Sequence, residues 1–485
     1  MNVETDPIML DQPASTLTTE RARPNFRVIA LIIASAMLME NIDATVLATA
    51  LPTMARDFGV DAPAMSVALT SYLLSLAIFI PASGRIADNY GSRTVFRAAI
   101  VLFIVGSVCC VVAPTLPALV AARLLQGVGG AMMMPVGRLV LMRSVERKDM
   151  VSALSWLLIP ALAGPIIGPP LGGLIVTYLD WRWIFYINVP IGVVGVIAVS
   201  IFIEDFKGTS VIPFDWIGFF LSGISLGALL FGFEFGSHVG QGWMAIGLVA
   251  VGVLCGLLYL RHARRHPAPI LDFSLMKVPS FGTSVIAGSL TRITQGAHPF
   301  LLPLLFQIGF GYSAAEAGQM VAATAIGALV MKPFAKPVYR YLGFRTSLAI
   351  NGVLGTAGYA VCALFRPDWP TWLMFVAMVL GAFFMSFQFM AYNTIAYDEI
   401  PPERMSSATS FYSSFQQLML SLGICIGALA IRGSMAISGN MEPQLNDFSI
   451  SFIVVTTISL CATAWNLKFH RDAGAEISGH PVSHP

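Results

Sequence analysis

Charge is what this chain lacks most. Asp, Glu, Lys and Arg make up 11% of its 485 residues, against about 25% in soluble domains. A water-soluble protein of that composition has too few ionised side chains to cover its surface. Cysteine is sparse as well. All six (Cys109, Cys110, Cys255, Cys362, Cys425, Cys461) fall in apolar runs, at spacings unlike a zinc or redox motif, so no disulfide framework is expected. No Gly-rich Lys-Ser/Thr phosphate loop is present, so no nucleotide is expected to energise the protein. No loop is long enough for a soluble domain, and no His/Asp/Glu group stands at ligand spacing inside the apolar runs. Metal, cofactor and enzymatic chemistry are therefore not expected; a membrane-embedded enzyme or sensor is the remote alternative. The net charge of +2 says little about partners, and nucleic acid is not expected among them. Residues 1–24 are polar, without a short apolar stretch ending in a cleavage site, so the first span is expected to serve as an uncleaved targeting signal.

What fills the chain instead is about fourteen apolar runs, each near the roughly 20 residues that cross ~30 Å of hydrocarbon. They lie near 27–50, 64–83, 94–114, 117–141, 151–178, 184–203, 215–235, 242–261, 280–307, 314–332, 347–365, 371–396, 407–431 and 448–467. The expected class is an all-α, multi-pass integral membrane protein. With both termini cytoplasmic, only Arg56, Arg182, Arg366 and Arg432 of the 28 Lys and Arg fall outside, and Arg123, Arg138 and Arg292 fall within spans. The remaining 21 lie on the cytoplasmic side, the bias expected of a correctly oriented membrane protein.

The chain also repeats itself. The loop after span 2 reads PASGRIADNYGSRT (Pro81–Thr94), and the loop after span 10 reads PFAKPVYRYLGFRT (Pro333–Thr346). Pro, Gly, Arg and Thr recur at one internal spacing. A second echo pairs Met150–Ser155 with Met405–Ser410. Two parallel bundles of six spans follow, with two further spans inserted between them. The expected division is a tail over 1–26, a bundle over 27–203, a linker with two spans over 204–279, a bundle over 280–467 and a tail over 468–485. Parallel repeats of this kind place a substrate path at their interface, near mid-membrane.

Five segments carry a specific resemblance: NIDATVLATALP in span 1, GRIADNYGSRTVF between spans 2 and 3, ARLLQGVGGAMMMPVGR in span 4, ALAGPIIGPPLGGLI in span 5 and WRWIFYINVPIG opening span 6. The chain resembles the fourteen-span drug:proton antiporters of the major facilitator superfamily over residues 27–467. The resemblance implies a monomeric inner-membrane transporter in a lipid bilayer, with protons and a small amphipathic solute or drug as its partners. It implies export in exchange for protons; uptake by the same fold is the alternative. Gly84, Arg85, Asp88, Gly91 and Arg93 match the family's gating loop, expected to latch the cytoplasmic side, with Arg85 and Arg97 as local partners for Asp88. Gly164, Pro165, Gly168, Gly172 and Gly173 match its antiporter motif, with Pro169 and Pro170 as a local elaboration.

The charges inside the bilayer point to the chemistry. An ionisable residue at mid-span costs roughly 2.5–3.5 kcal/mol on insertion scales and persists mainly where it is paired or lines a path. Glu40 and Asp43 lie halfway along span 1, three apart and so on one helix face. Either they carry protons or one pairs with a buried Arg to fix packing. Asp43 sits where the resembling family places its span 1 acid. Arg123 cannot release its proton, so it is expected to bias a nearby carboxylate toward ionisation, or to act as a structural counter-ion. Arg292 in span 9 is the counterpart of Glu40 in the repeat, which predicts a Glu40–Arg292 or Asp43–Arg292 approach. His298 either joins a proton relay or caps a helix break before Pro299. Gln295, with Arg292 and His298, is expected at the substrate cavity, and Gln388, Tyr392 and Asn393 of span 12 are expected to line it opposite. The charges cancel in pairs, so an anionic or zwitterionic solute stays open.

Overall fold

The computed structural model describes residues 26–145, 150–205, 214–236, 242–470 and 472–481. The tail expected over 1–26 lies outside them except for Phe26, and so do residues 206–213 and 237–241 of the expected linker.

Among the described residues every regular element is helical. In hydrocarbon each backbone N–H and C=O must find its partner within the segment, and a helix supplies one for all but its ends. The main helices are α1 (Phe26–Phe58), α2 (Ser66–Tyr90), α3 (Ser92–Val112), α4 (Leu116–Ser144), α5 (Met150–Tyr178), α6 (Trp183–Tyr186), α7 (Asn188–Phe202), α8 (Trp216–Gly236) and α9 (Gly242–Ala263). There follow α10 (Pro279–Leu304), α11 (Ala314–Ala360), α12 (Thr371–Ile395), α13 (Met405–Ser438), α14 (Leu445–Asn466) and the short α15 (Ala475–Ser478). Eleven stretches among the described residues are long and apolar enough to cross a membrane. The protein is a multi-pass membrane protein.

Local sequence sets the helix starts. Thr115 caps α4 by accepting from Ala118 N–H, with a proline in the first turn. Ser313 and Glu316 form a reciprocal capping box at the start of α11.

Two of the expected runs, 314–332 and 347–365, are not separated by a loop. Residues 333–342 continue the helix, and the chain turns at Gly343 alone, where φ is 69°. Its repeat counterpart, Gly91, turns the chain between α2 and α3 with φ 96°. Only glycine takes such angles without a Cβ penalty. The aligned glycines of the two PASGRIADNYGSRT-like loops thus do the same backbone work.

Helices α1–α7 pack among themselves, chiefly α1 on α5, α3 on α4 and α7, and α2 on α4. Helices α10–α14 form a second group, through α10 on α13 and α14 and α11 on α12 and α14. The pair α8–α9 packs on itself and touches both groups, at α2 and at α13. Two seams join the groups directly, α5 with α11 and α2 with α13. The α5–α11 seam is tight: a Cβ on Gly173 would run into the Ala314 carbonyl, and one on Gly318 into the Pro169 carbonyl.

Polar contacts between the groups cluster at the end remote from the chain termini, called distal below. Among the described residues, Gln307 Nε2 donates to the Thr49 carbonyl at 2.9 Å and Ala315 N–H to Thr177 Oγ1 at 3.1 Å. Ser421 Oγ donates to the Thr70 carbonyl at 3.3 Å, and Arg432 lies 3.8 Å from Asp61. The distal end is closed.

Candidate functional site

A cavity of about 470 Å³ lies between the two groups. Its walls come from both: Thr45, Tyr72, Arg123 and Pro165 on one side, Gln295, Thr324, Tyr359 and Phe389 on the other. A larger hollow of about 930 Å³ lies beyond the distal seam, rimmed by Arg56, Asp61, Glu316 and Glu442. The smaller cavity is the candidate site, because the chain's buried charges adjoin it.

Asp43 is the anchor. Its side chain is wholly out of solvent, as is that of Arg123, whose Nη1 stands 2.6 Å from Asp43 Oδ2. Gln126 Nε2 and Asn188 Nδ2 donate to Asp43 Oδ1 at 2.8 and 2.9 Å. Arg123 Nη1 also donates to Gln126 Oε1, and its Nε to the Ala68 carbonyl. Ser107 Oγ accepts from both Gln126 and Asn188. The carboxylate therefore sits in a cage of donors from α4 and α7. The Arg123 guanidinium lies over the Tyr72 ring, with Cζ 4.4 Å from the ring centre. Arg123 Nη2 has no hydrogen-bond partner among the described residues, and Arg123 borders the cavity.

The expected pairing of Arg292 with Glu40 or Asp43 is not made. Asp43 is taken by Arg123, which approaches along α4 on the same side of the molecule. Arg292 turns into its own group, where Nη2 donates to Tyr412 Oη at 3.0 Å and to Gln416 Oε1 at 3.2 Å. Glu40 is half-buried, and its Oε2 has no hydrogen-bond partner among the described residues.

The expected cavity wall on α12 is rotated. Phe389, Ser386, Met385 and Ala382 border the cavity. Gln388 and Tyr392 point the other way: Gln388 Nε2 donates to the Leu348 carbonyl of α11, and Tyr392 Oη to Asn466 Oδ1 of α14 at 2.6 Å. Asn393 donates to the Phe389 carbonyl of its own helix. Gln295 does border the cavity. His298 does not. It stacks on Tyr359 with centroids 3.8 Å apart, inside an α10 that runs unbroken through Pro299, so it caps no break, and it joins no side-chain relay among the described residues.

The α5 glycines divide their work. A Cβ on Gly164, Gly168 or Gly172 would collide with Asn41, Thr45 or Thr49 and Val46 of α1, whereas Gly173 meets α11. Pro165 and Pro169 border the cavity. One helix therefore lies flush against the acid-bearing α1 and against the opposite group.

The loop between α2 and α3 is bound mainly within its own group, with a tie to the linker. Asp88 pairs with Arg143 of α4 at 2.9 Å, not with the expected Arg85 or Arg97. The last turn of α4 brings Arg143 over the loop, which no local spacing announces. Arg85 donates to the Ala268 carbonyl, just beyond α9. Gly84 has open space where a Cβ would be. Asp205 accepts from the Arg93 N–H and from Thr94 Oγ1, placing a carboxylate at the N-terminus of α3, and the Arg93 guanidinium donates to the Ser200 carbonyl.

Sequence reading passed over four polar residues. Gln126 lies one helical turn after Arg123 in the ARLLQG segment, and Asn188 lies in the WRWIFYINVPIG segment, so both were within reach of the motifs. Ser107 gave no signal. Glu234, near the distal end of α8, is 6% exposed and accepts from Ser66 of α2 and Cys425 of α13.

The comparisons with known proteins fit this geometry. The family model described as Major Facilitator Superfamily matches residues 32–214 and 216–424. Relatives called "Putative multidrug resistance protein MdtD" match at 36% identity over 406 residues in Salmonella heidelberg and at 37% over 404 residues in Shigella boydii serotype 4. Each alignment covers 82% of this chain and 85% of the relative. Among solved structures, the POT family transporter PepTSo superposes with a TM-score of 0.69 at 13% identity, covering 92% of this chain and 98% of that one. A D-xylose–proton symporter does so with a TM-score of 0.65 at 15% identity, covering 91% and 97%. At those identities the structural likeness is one of fold.

Proposed function

The chain belongs to the major facilitator superfamily, and from that premise we propose that it exports small amphipathic solutes or drugs in exchange for protons by alternating access. It is a transporter, not an enzyme. The reading places fourteen spans in the inner membrane, both termini in the cytoplasm and the distal end outside, with a monomer in the bilayer as the working unit. The bundles over 27–203 and 280–467 rock about the cavity, with the linker over 204–279 between them. The closed distal end then corresponds to an inward-facing state.

One observation carries the reading: the carboxylate of Asp43 is caged by Arg123, Gln126 and Asn188 beside the cavity. Arg123 stays charged throughout. When a proton reaches Asp43, the charge that holds the guanidinium disappears. Arg123 is then free to turn its Nη2 further into the cavity. Proton binding at Asp43 and solute in the cavity are thereby linked through a single guanidinium. The gating loop (Gly84, Arg85, Asp88, Gly91, Arg93) and the α5 motif (Gly164, Pro165, Gly168, Gly172, Gly173) carry the rocking.

The test is transport by purified protein in vesicles with an imposed pH gradient, over a solute panel. Proton-driven movement out of the cytoplasmic side, lost in Asp43→Asn, is the expected result. Movement in the same direction as the protons would make the protein an uptake symporter. Full coupling in both Asp43→Asn and Glu40→Gln would remove the carrier assignment.

A further inference from the structure

We propose that Arg292 is the docking point for an anionic group, a carboxylate in the first instance, on the transported solute. The inference rests on the transporter reading and adds to it a solute class: organic anions and zwitterions.

The argument begins with the imbalance of buried charge. Asp43 and Arg123 neutralise each other. Arg292 has no such partner. It is 3% exposed, yet no carboxylate among the described residues lies within salt-bridge distance of it. Its hydrogen bonds go to two neutral oxygens, Tyr412 Oη and Gln416 Oε1, and its Nε has no acceptor. A buried charge without a counter-charge is strongly destabilising. Among the described residues there is no acid for it to counter, which argues against a structural counter-ion role.

The group is nevertheless held in place. Tyr412 lies 4.7 Å from its Cζ and Phe389 lies 5.7 Å away. A Cβ on Gly288 would come within 2.7 Å of Arg292 Nη1, so the absence of a side chain there makes room for the guanidinium. Phe389 borders the central cavity, as do Gln295 and Gly296, one turn beyond Arg292 on the same helix. A guanidinium offers planar, two-pronged bonding suited to a carboxylate. A solute anion that displaces the Phe389 ring reaches that fork from the cavity and supplies the missing charge.

The experiment measures thermal stabilisation of the purified full-length protein by aromatic and aliphatic carboxylates. Each is paired with its own primary amide and with the primary ammonium analogue of the same skeleton. In the unmodified protein, carboxylates raise the melting temperature more than their amides. Arg292→Lys keeps a weakened preference, and Arg292→Gln abolishes it while melting, without ligand, no lower than the parent. The proposal is overturned if no carboxylate exceeds its amide, or if the preference survives in Arg292→Gln. Proton-driven export of amides or ammonium compounds alone would sink this inference and leave the transporter reading intact. A carboxylate preference without proton coupling in vesicles would do the reverse.

Discussion

Glu234 and Ser66 lie 3.0 Å apart, the carboxylate of an inserted helix accepting from the first residue of α2. The same carboxylate accepts from Cys425 of α13, so one side chain on α8 touches both bundles where they close. Its surroundings include Arg432, itself near Asp61. Removing a buried acceptor leaves its donors unsatisfied, at about 1–3 kcal/mol. Glu234→Ala is expected to populate the distal-open state several-fold more, with Glu234→Gln between it and the parent. Spin labels at Arg56→Cys and Ile437→Cys, both at the distal end, would report a longer mean separation. An unchanged distance distribution would show that the inserted pair does not brace the gate.

The Asp43–Arg123 pair makes a second prediction. Breaking a buried pair from one side costs roughly 3–5 kcal/mol, because the remaining charge is stranded. Asp43→Asn and Arg123→Gln should each lower the melting temperature and reduce proton-driven transport by about 100-fold or more, the scale of 2.7 kcal/mol. The double variant should be less destabilised than the two single effects added together. Strict additivity of the melting shifts would mean that the two residues do not act on each other.

The α5–α11 seam gives a third. Gly173→Val places a side chain against the Ala314 backbone, and Gly318→Val against the Pro169 backbone. Both should block distal closure, halting transport by at least ten-fold while the protein still inserts and purifies as one species. Gly433→Ala, with nothing within 4 Å of the added carbon, is the control and should transport normally. Normal transport by Gly173→Val would mean that the seam does not need its close approach.

Outside the membrane, Asp272 and Arg404 lie 2.6 Å apart. Partial burial pushes the Asp272 carboxyl up, but hydrogen bonds from Ser274 and Arg404 outweigh it and hold the group below its ordinary range. A depressed carboxyl stabilises the folded state above its unfolded pKa of about 3.9, and that contribution fades as pH falls through the lower folded value. Asp272→Asn should therefore lower stability by up to about 1 kcal/mol at pH 7, as expected of a partly exposed pair. The gap to the parent should shrink as the pH falls below about 4. A gap that stays constant with pH would assign the effect to packing instead.

Much of this was legible in the sequence, for a physical reason. Hydrocarbon forbids unpaired charge, so each run end and each intruding acid stands out. Glu40, Asp43 and Arg123 stand out in this way. The cage around Asp43 was not seen, because Gln126 and Asn188 are neutral and carry no comparable signal. Helix α12 misled for the opposite reason: phenylalanines occur all round it, so nothing marked which face meets the cavity, and Gln388 and Tyr392 were set on the wrong side. Asp88 was given Arg85 and Arg97 because they are near in sequence, whereas Arg143 arrives from the end of another helix. Glu234 sits near a span end, where an acid passes as a residue of the membrane surface.

The placement of small residues on α5 has one last consequence. Gly164, Gly168 and Gly172 give it a smooth flank toward α1, and Gly173 gives it another toward α11. A shaft without teeth on two sides slides rather than meshes. Small axial displacements of α1 can therefore be passed to the far bundle as a shear along α5, once the hydrogen bonds of Thr45 to the Gly164 carbonyl and of Ala315 N–H to Thr177 have yielded. The sensitivity of the pump to added bulk should thus follow this one bearing surface more closely than any distance from the bound solute.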